Sequence, residues 1–277
     1  MLDDPGEAVV IATRHDTHAA LAAAALRAGK AVFVEKPLAL SWEELAAVRA
    51  AQGESGGRLM VGFNRRFAPL VEAIAARLAG RAEPLVITCR VNAGYLPPDH
   101  WLHDPAAGGG RIAGEACHFI DLMRHLAGAP ITDIYARAMA NAGRYRTDNV
   151  AIVTHFADGS LGTLTYHANG AQRLAKERIE VHGQGLSFVL DDFRSLTTYR
   201  GMRREERRGR QDKGHTAEVA AFVQAIRTGT ALPIPFDECV ESTAATLAAL
   251  DALALGAPLP AERWGAAERF EAEARAT

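Results

Sequence analysis

Lys36 stands directly after the run Ala31-Val32-Phe33-Val34-Glu35 and directly before Pro37. A short apolar, β-branched run fits a strand buried on both faces, and Pro37, which cannot donate to a ladder, ends it. A lysine at such a strand end projects its ammonium into a partly desolvated cleft, where it can exchange a proton with a hydroxyl or carbonyl group. The plainer alternative is a lysine that ends the strand and reaches out to water. His118 is the second candidate: Glu115, three residues earlier on the helix expected after Gly110, shares its face and can orient or charge-support the imidazole. Asn64, Arg65 and Arg66 follow a third apolar run, where they can meet an anion or form an interface salt bridge. Asn92, Tyr95, His100, Trp101 and His103 border or lie in a long loop, 93–110, in which an aromatic beside hydrogen-bonding groups suits a sugar ring or simply packs. His118, Asp121 and His125 can share a helix face, but no second ligand cluster accompanies them and no metal is expected.

The elements that must position these residues begin with Ala8-Val9-Val10-Ile11-Ala12, another run of the kind buried on both faces of a parallel sheet. An alanine-rich helix over 18–28 follows, closed by Gly29. The 31–35 strand comes next, then a helix from Trp42 capped by Ser41, with Glu44 placed for a capping box. Leu59-Met60-Val61-Gly62-Phe63 is the third strand. Strand, helix, strand, helix, strand predicts right-handed parallel crossovers. Ligands of such sheets sit beyond the carboxyl ends of the strands, so residues 13–18, 35–37 and 64–66 are the ones to inspect.

After about residue 66 the pattern changes. A helix over 69–78 leads to a strand over 85–91, and strand-like runs at 150–156, 161–167, 178–182 and 186–190 are separated by Ala157-Asp158-Gly159 and Gly183-Gln184-Gly185, turns that join antiparallel neighbours. The charged stretch 203–210 reads as a solvated loop before two late helices, 216–228 and 237–255. The expected fold is α/β: an incomplete Rossmann-type parallel sheet over 1–66, then an α+β domain over 67–277 with a large, mostly antiparallel open sheet.

With 277 residues, 48% of them hydrophobic and 23% charged, the chain can build a sizeable core. Its net charge of -2 gives no field that would recruit nucleic acid or an anionic membrane. No apolar run approaches a membrane span, and the acidic opening Met1-Leu2-Asp3-Asp4-Pro5 is the reverse of a signal peptide, so a cytoplasmic address is expected. Cys89, Cys117 and Cys239 are odd in number and widely spaced, which suggests buried thiols.

The string Val9-Val10-Ile11-Ala12-Thr13 with His18, then Ala28-Gly29-Lys30 and Val34-Glu35-Lys36-Pro37, resembles the second half of the nucleotide domain in the inositol dehydrogenase and glucose-fructose oxidoreductase (Gfo/Idh/MocA) family. Gly108-Gly109-Gly110, ahead of His118-Phe119-Ile120-Asp121, is similar to the family's second signature, at the substrate site. The likeness runs from about residue 8 to 255. Residues 62–67 and 114–121 look closest to the branch fused behind a zinc-type alcohol dehydrogenase domain. The resemblance implies an oxidoreductase that uses NAD or NADP on a sugar, cyclitol or nucleotide-sugar hydroxyl. It implies Lys36, His118 and Glu115 as catalytic residues. Ala12, Thr13, His15, His18, Glu35, Lys36, Asn64 and Arg66 fall on the cofactor side, and Lys36, Arg65, Asn92, Tyr95, Trp101 and His118 on the substrate. It also implies a homo-oligomer formed through the antiparallel sheet. Family members carry an aspartate four residues before the histidine, whereas this chain has Gly114 there and a glutamate one place later.

A dinucleotide site ordinarily needs G-x-G-x-x-G after the first strand and an acidic residue about 20 positions later. Neither stands before Ala8. Gly108-Gly109-Gly110-Arg111-Ile112-Ala113 satisfies a looser pattern but follows Asp104-Pro105-Ala106-Ala107 instead of a strand. The expectation is therefore a truncated or split oxidoreductase, completed by a missing N-terminal segment or a partner chain. The alternative is a non-catalytic binding or assembly subunit that has lost its cofactor site. A sheet without its first strands also leaves an unpaired apolar edge.

Overall fold

The computed structural model describes residues 6–140, 143–145 and 147–264. The first unit is β1 (Ala8–Ile11), α1 (His18–Arg27), β2 (Ala31–Val34), α2 (Trp42–Ser55) and β3 (Leu59–Val61). The strands pair in parallel in the order β1-β2-β3. α1 ends where Gly29 takes a φ of 72°, a left-handed conformation that glycine adopts without Cβ strain. Ser41 caps α2 by accepting from the Glu44 N–H, while the Glu44 carboxylate accepts from the Leu40 N–H, one residue before the expected capping-box partner. β2 and β3 are buried throughout. β1 departs from the expectation of two buried faces: Val9 and Ile11 are buried, but Val10 is 67% exposed. The reason is position, because β1 is the outer strand of its sheet and α1 covers one side of it only.

The second unit opens with α3 (Pro69–Leu78), whose Pro69 suits the first helical turn, and β4 (Val86–Asn92). A single π turn over Ile112–Ala116 then feeds α4 (Cys117–Ala127). β5 (Ile131–Ala138), β6 (Val150–Phe156), β7 (Leu161–His167), β8 (Glu177–Gly183), β9 (Leu186–Asp191), β10 (Ser195–Arg200) and β11 (Arg203–Arg208) follow. They form a nine-stranded sheet that also takes in β12 (Leu259–Pro260), in the order β11-β10-β9-β8-β4-β7-β6-β5-β12. Every pairing is antiparallel except β4 with β7. The alternating burial of β6 is what period-2 patterning predicts for a sheet with one face on a core. The expectation of a loop over 203–210 is corrected by β11. All six of its residues are exposed, and Arg204 and Arg208 flank and pair with Glu206. A charged outer strand blocks further pairing at that edge.

α5 (His215–Thr228) and α6 (Phe236–Leu255) return to the parallel sheet. Cys239, Val240, Ala244 and Leu247 of α6 join the core of the first unit, and Ala245, Ala248, Ala249 and Ala252 join that of the second. Alanine is suited to this, because a small side chain on both faces lets one helix approach two layers closely. No helix among the described residues is long and apolar enough to cross a membrane.

Glu218 on α5 is buried and its Oε1 has no hydrogen-bond partner. Burial, then the nearby Glu35 and Asp121, push its carboxyl up to about 9, with Arg65 opposing. A folded pKa above the unfolded one means that the folded state binds more protons, so stability falls as pH rises from about 5 to about 9. Glu218→Gln keeps a neutral group of similar shape and removes that slope. The variant is expected to be more stable than the parent by about 2–4 kcal/mol near pH 8, with little difference near pH 4. Urea midpoints at the two pH values check this; equal slopes in both proteins would reject it.

Candidate active site

Because β1, β2 and β3 run parallel, their carboxyl ends open on the same side of the sheet. His18, nearly fully buried, ties the first two together: Nδ1 lies 2.8 Å from the Pro37 carbonyl and Nε2 3.1 Å from that of Thr13. The ring therefore lies between two backbone carbonyls, one from each strand end, and a neutral imidazole donates to one of them. Ala12 and Thr13 remain exposed at the end of β1, Thr13 sharing a hydroxyl contact of 2.6 Å with Thr17. The Lys36–Pro37 peptide bond is cis. The Glu35 carboxylate lies against Gly62, where an added Cβ would come within 3.1 Å of Oε2. Any larger residue at 62 would displace it.

Lys36 Nζ donates to the Gly114 carbonyl at 2.7 Å, which brings the end of β2 against the turn that starts α4. Around this contact is a cavity of about 330 Å³, lined by Lys36, His118, His15, Trp101, Leu102, Arg65, Glu115, Phe119, Gly114 and Lys176. His15 Nδ1 lies 2.9 Å from the Gly108 carbonyl, and its ring stands edge-on to Trp101 with centroids 5.0 Å apart. Burial lowers the His15 pKa, and Lys36 adds to that. The long loop before α4 therefore does close on the strand ends. Larger hollows, about 670 Å³ beside His103 and Arg111 and about 450 Å³ beside Arg81 and His125, contain neither the lysine nor the strand ends.

His118 is 8% exposed, and its Nδ1 has no hydrogen-bond partner. Burial first, then the cations Arg65, Lys36 and Lys176 and the ring of His215, hold its pKa well below the usual histidine value. Its uncharged form is therefore favoured at neutral pH. The expected support from Glu115 is not found. Glu115 sits in the π turn, whose wider winding breaks the three-apart register of an α-helix, and its carboxylate pairs with Arg111 at 3.1 Å and Lys176 at 3.4 Å. Burial works against the charge of Glu115, but Lys176, Arg111 and a hydrogen bond with Tyr166 together hold its pKa below the ordinary value. The glycine at 114 has a local cause. A Cβ there would meet Leu102 Cδ1 at 2.7 Å and His15 Cε1 at 3.1 Å.

The residues after β3 form a tight turn, Asn64–Phe67, and turn inward. Arg65 lines the cavity, with Nε and Nη2 each 2.9 Å from the Glu177 carboxylate and its guanidinium 4.8 Å from the Phe119 ring centroid. Arg66 is turned away, bidentate on Asp121 and paired with Glu238, and Asn64 Nδ2 donates to the Lys213 carbonyl at 2.7 Å. Neither lines this cavity, and the contacts they make are internal ties. Asn92 Nδ2 donates to the carbonyls of Ala171 and Leu174, and Tyr95 packs against Tyr145 and Arg144, so neither reaches the cavity as expected. Of the loop candidates, Trp101 does. Lys176 was not anticipated. It precedes β8, held by a backbone hydrogen bond from the Asn92 N–H to its carbonyl, and in sequence it reads as one more surface charge in Ala175-Lys176-Glu177-Arg178. No group of three or more His, Cys, Asp or Glu side chains among the described residues can hold a metal ion.

Residues 1–63 match the oxidoreductase family with an NAD-binding Rossmann fold, and residues 70–189 match the GFO/IDH/MocA C-terminal domain. Inositol 2-dehydrogenase 2 of Saccharopolyspora erythraea is 32% identical over 278 residues, covering 95% of this chain and 79% of that protein. Inositol 2-dehydrogenase of Rhizobium meliloti (strain 1021) is 30% identical over 242 residues, covering 80% of this chain and 71% of that protein. In fold, the chain is similar to the crystal structure of an oxidoreductase domain protein from Kribbella flavida, with a TM-score of 0.80 and 24% identity over 94% of this chain and 81% of that one. A parallel sheet whose strand ends meet a lysine and a neutral histidine, with a large antiparallel sheet behind them, therefore has its place among known proteins: the chain belongs to the GFO/IDH/MocA family of NAD-binding oxidoreductases.

Proposed function

We propose that the chain acts on a ring hydroxyl of a cyclitol or sugar, oxidising it to the ketone or catalysing the reverse, with Lys36 and His118 handling the hydroxyl proton. The observation that carries this reading is one cavity, about the volume of a single hydrated ring, into which both the Lys36 ammonium and the neutral His118 open. The bound nicotinamide cofactor supplies the hydride acceptor. Lys36 donates a hydrogen bond to the substrate oxygen and stabilises negative charge as the proton leaves; His118, uncharged, receives the proton. Trp101 and Phe119 give an apolar wall against the ring, and His15, held by the Gly108 carbonyl, keeps Trp101 in place. Glu115 acts as a hydrogen-bond acceptor for a second hydroxyl and not as the partner of His118. The inositol 2-dehydrogenases matched above support a cyclitol or sugar as substrate. The strings at 62–67 and 114–121 support a place near the branch fused behind a zinc-type alcohol dehydrogenase domain.

For the nicotinamide half of the cofactor the strand ends offer Ala12 and Thr13, exposed just after β1, and Glu35, directly before the cavity-lining Lys36. The pyrophosphate half has no G-x-G-x-x-G loop within these residues, and β1 carries an exposed Val10 on the outermost strand. In this reading residues 1–66 form part of a dinucleotide-binding domain, residues 67–277 the substrate and assembly domain, and a further segment or chain completes the pyrophosphate site. The second reading, a binding or assembly subunit without cofactor, rests on the same missing loop. Titration with NADH and with NADPH, followed by quenching of Trp101 fluorescence or by calorimetry, separates them. Micromolar binding, worth about -8 kcal/mol, is the expected result if these residues or a second copy complete the site. Absence of binding up to millimolar cofactor leaves the second reading, or a requirement for a separate partner chain.

A further inference from the structure

The charges around the cavity are unequal. Lys36, Arg65 and Lys176 line it against one carboxylate, Glu115. Immediately behind that lining stand Arg111 and Lys213, with Glu177 as the facing anion. Five cations thus meet two carboxylates, and both carboxylates are already shared. Glu115 bridges Arg111 and Lys176, and Glu177 takes Arg65 on both oxygens and Lys213 at 2.6 Å. Glu35, the nearest other acid in sequence, lies against Gly62, and Asp121 is bound by Arg66 and Ser242. The field is felt at the proposed base, where Arg65, Lys36 and Lys176 add to burial in disfavouring the charged ring. Lys36 has a carbonyl as its hydrogen-bond partner, and no carboxylate among the described residues lies within salt-bridge distance of it.

A neutral polyol would leave this excess uncompensated in a partly desolvated space, where like charges repel more strongly than in water. We propose that the substrate itself supplies the missing anion: a sugar acid or cyclitol acid whose carboxylate is received by Lys176 while a ring hydroxyl meets Lys36 and His118. The proposal rests on the reading of Lys36 and His118 as the hydroxyl-handling pair. Lys176 is the receiving group because its donors are available. It is 44% exposed at the cavity rim and 3.4 Å from its one carboxylate contact, whereas Arg65 has Nε and Nη2 engaged on Glu177. A cavity of about 330 Å³ suits one ring with a carboxylate and leaves no room for a nucleoside diphosphate. Substrate selection therefore comes from a residue outside both family signatures, just before β8.

The test compares uronates with their parent sugars, galacturonate against galactose and glucuronate against glucose, on the full chain. Binding is read by Trp101 fluorescence or calorimetry with and without NADH, and glucose 6-phosphate is a separate arm. A charge-assisted contact of this kind is expected to favour the uronate by about ten- to a hundred-fold at low salt. The preference should shrink in high salt. Lys176→Met should bring the ratio of the two affinities to within about threefold of one. Equal affinity for acid and parent sugar in the unaltered chain overturns the inference while leaving the polyol reading in place. Tighter binding of the phosphate ester than of either uronate overturns the choice of a carboxylate. NADH binding with no sugar of any kind bound overturns both the inference and the polyol reading beneath it.

Discussion

Lys36→Met is expected to lower kcat/KM for hydroxyl oxidation by about a thousand-fold or more, with NADH affinity changed by less than about threefold. General acid–base catalysis by a placed side chain contributes roughly 10² to 10⁴ in rate, and Lys36 also holds the developing alkoxide, so the upper part of that range applies. A thousand-fold loss corresponds to about 4 kcal/mol of transition-state stabilisation. Methionine keeps the length and apolar stem of lysine and removes the charge and the donor. The single hydrogen bond it breaks, to the Gly114 carbonyl, contributes on the order of 1 kcal/mol to stability, so the fold should survive. Lys36→Arg is expected to rescue little, because a longer, planar guanidinium with its donors in a fixed fork cannot place one donor where the compact ammonium does. Steady-state kinetics with myo-inositol and with a uronate, beside an NADH titration of each variant, decide the matter. Unchanged turnover in Lys36→Met would falsify the proposed role.

The parts of this site that can be read from sequence are those fixed by short-range rules. An apolar run ended by Pro37 places Lys36 at a strand end, and parallel crossovers put that end beside those of β1 and β3, which is where the cavity lies. The hairpins of the large sheet were equally legible, because Gly159 and Gly185, with φ of 85° and 68°, mark turns that few other residues adopt. Three things were not legible. The π turn at Ile112–Ala116 differs from an α-helix by one residue per turn, so the spacing of Glu115 and His118 suggested a contact that the backbone does not make. The direction taken by Arg66 depends on Asp121 and Glu238, far away in sequence, and a strand-end arginine carries no local sign of whether it faces a ligand or a carboxylate. Lys176 enters the cavity because β8 pairs with β4, a long-range register that no local pattern records.

Arg66 offers the second large effect, on stability rather than on turnover. It is 6% exposed, between Asp121 on α4, fully buried, and Glu238 on α6, and it ties the end of β3 to both helices. Burial works against its charge, and the two carboxylates more than offset this, so its pKa is raised further. Arg66→Met would leave the Asp121 carboxylate buried, with the Ser242 hydroxyl, at 2.9 Å, still donating to it. Removing one partner of a buried pair costs about 3–5 kcal/mol, a large share of the roughly 5–15 kcal/mol that holds a domain folded. The urea midpoint should fall accordingly. The double variant Arg66→Met with Asp121→Asn should recover part of the loss, since it removes the buried unpaired charge, and the cycle should show a coupling of about 1–3 kcal/mol. Additive losses would mean that the pair is not coupled. The same variant separates the internal tie from the cofactor contact expected for Arg66 by resemblance. At a temperature where Arg66→Met is still folded, its NADH affinity should match that of the parent; a drop of ten-fold or more would return Arg66 to the cofactor site.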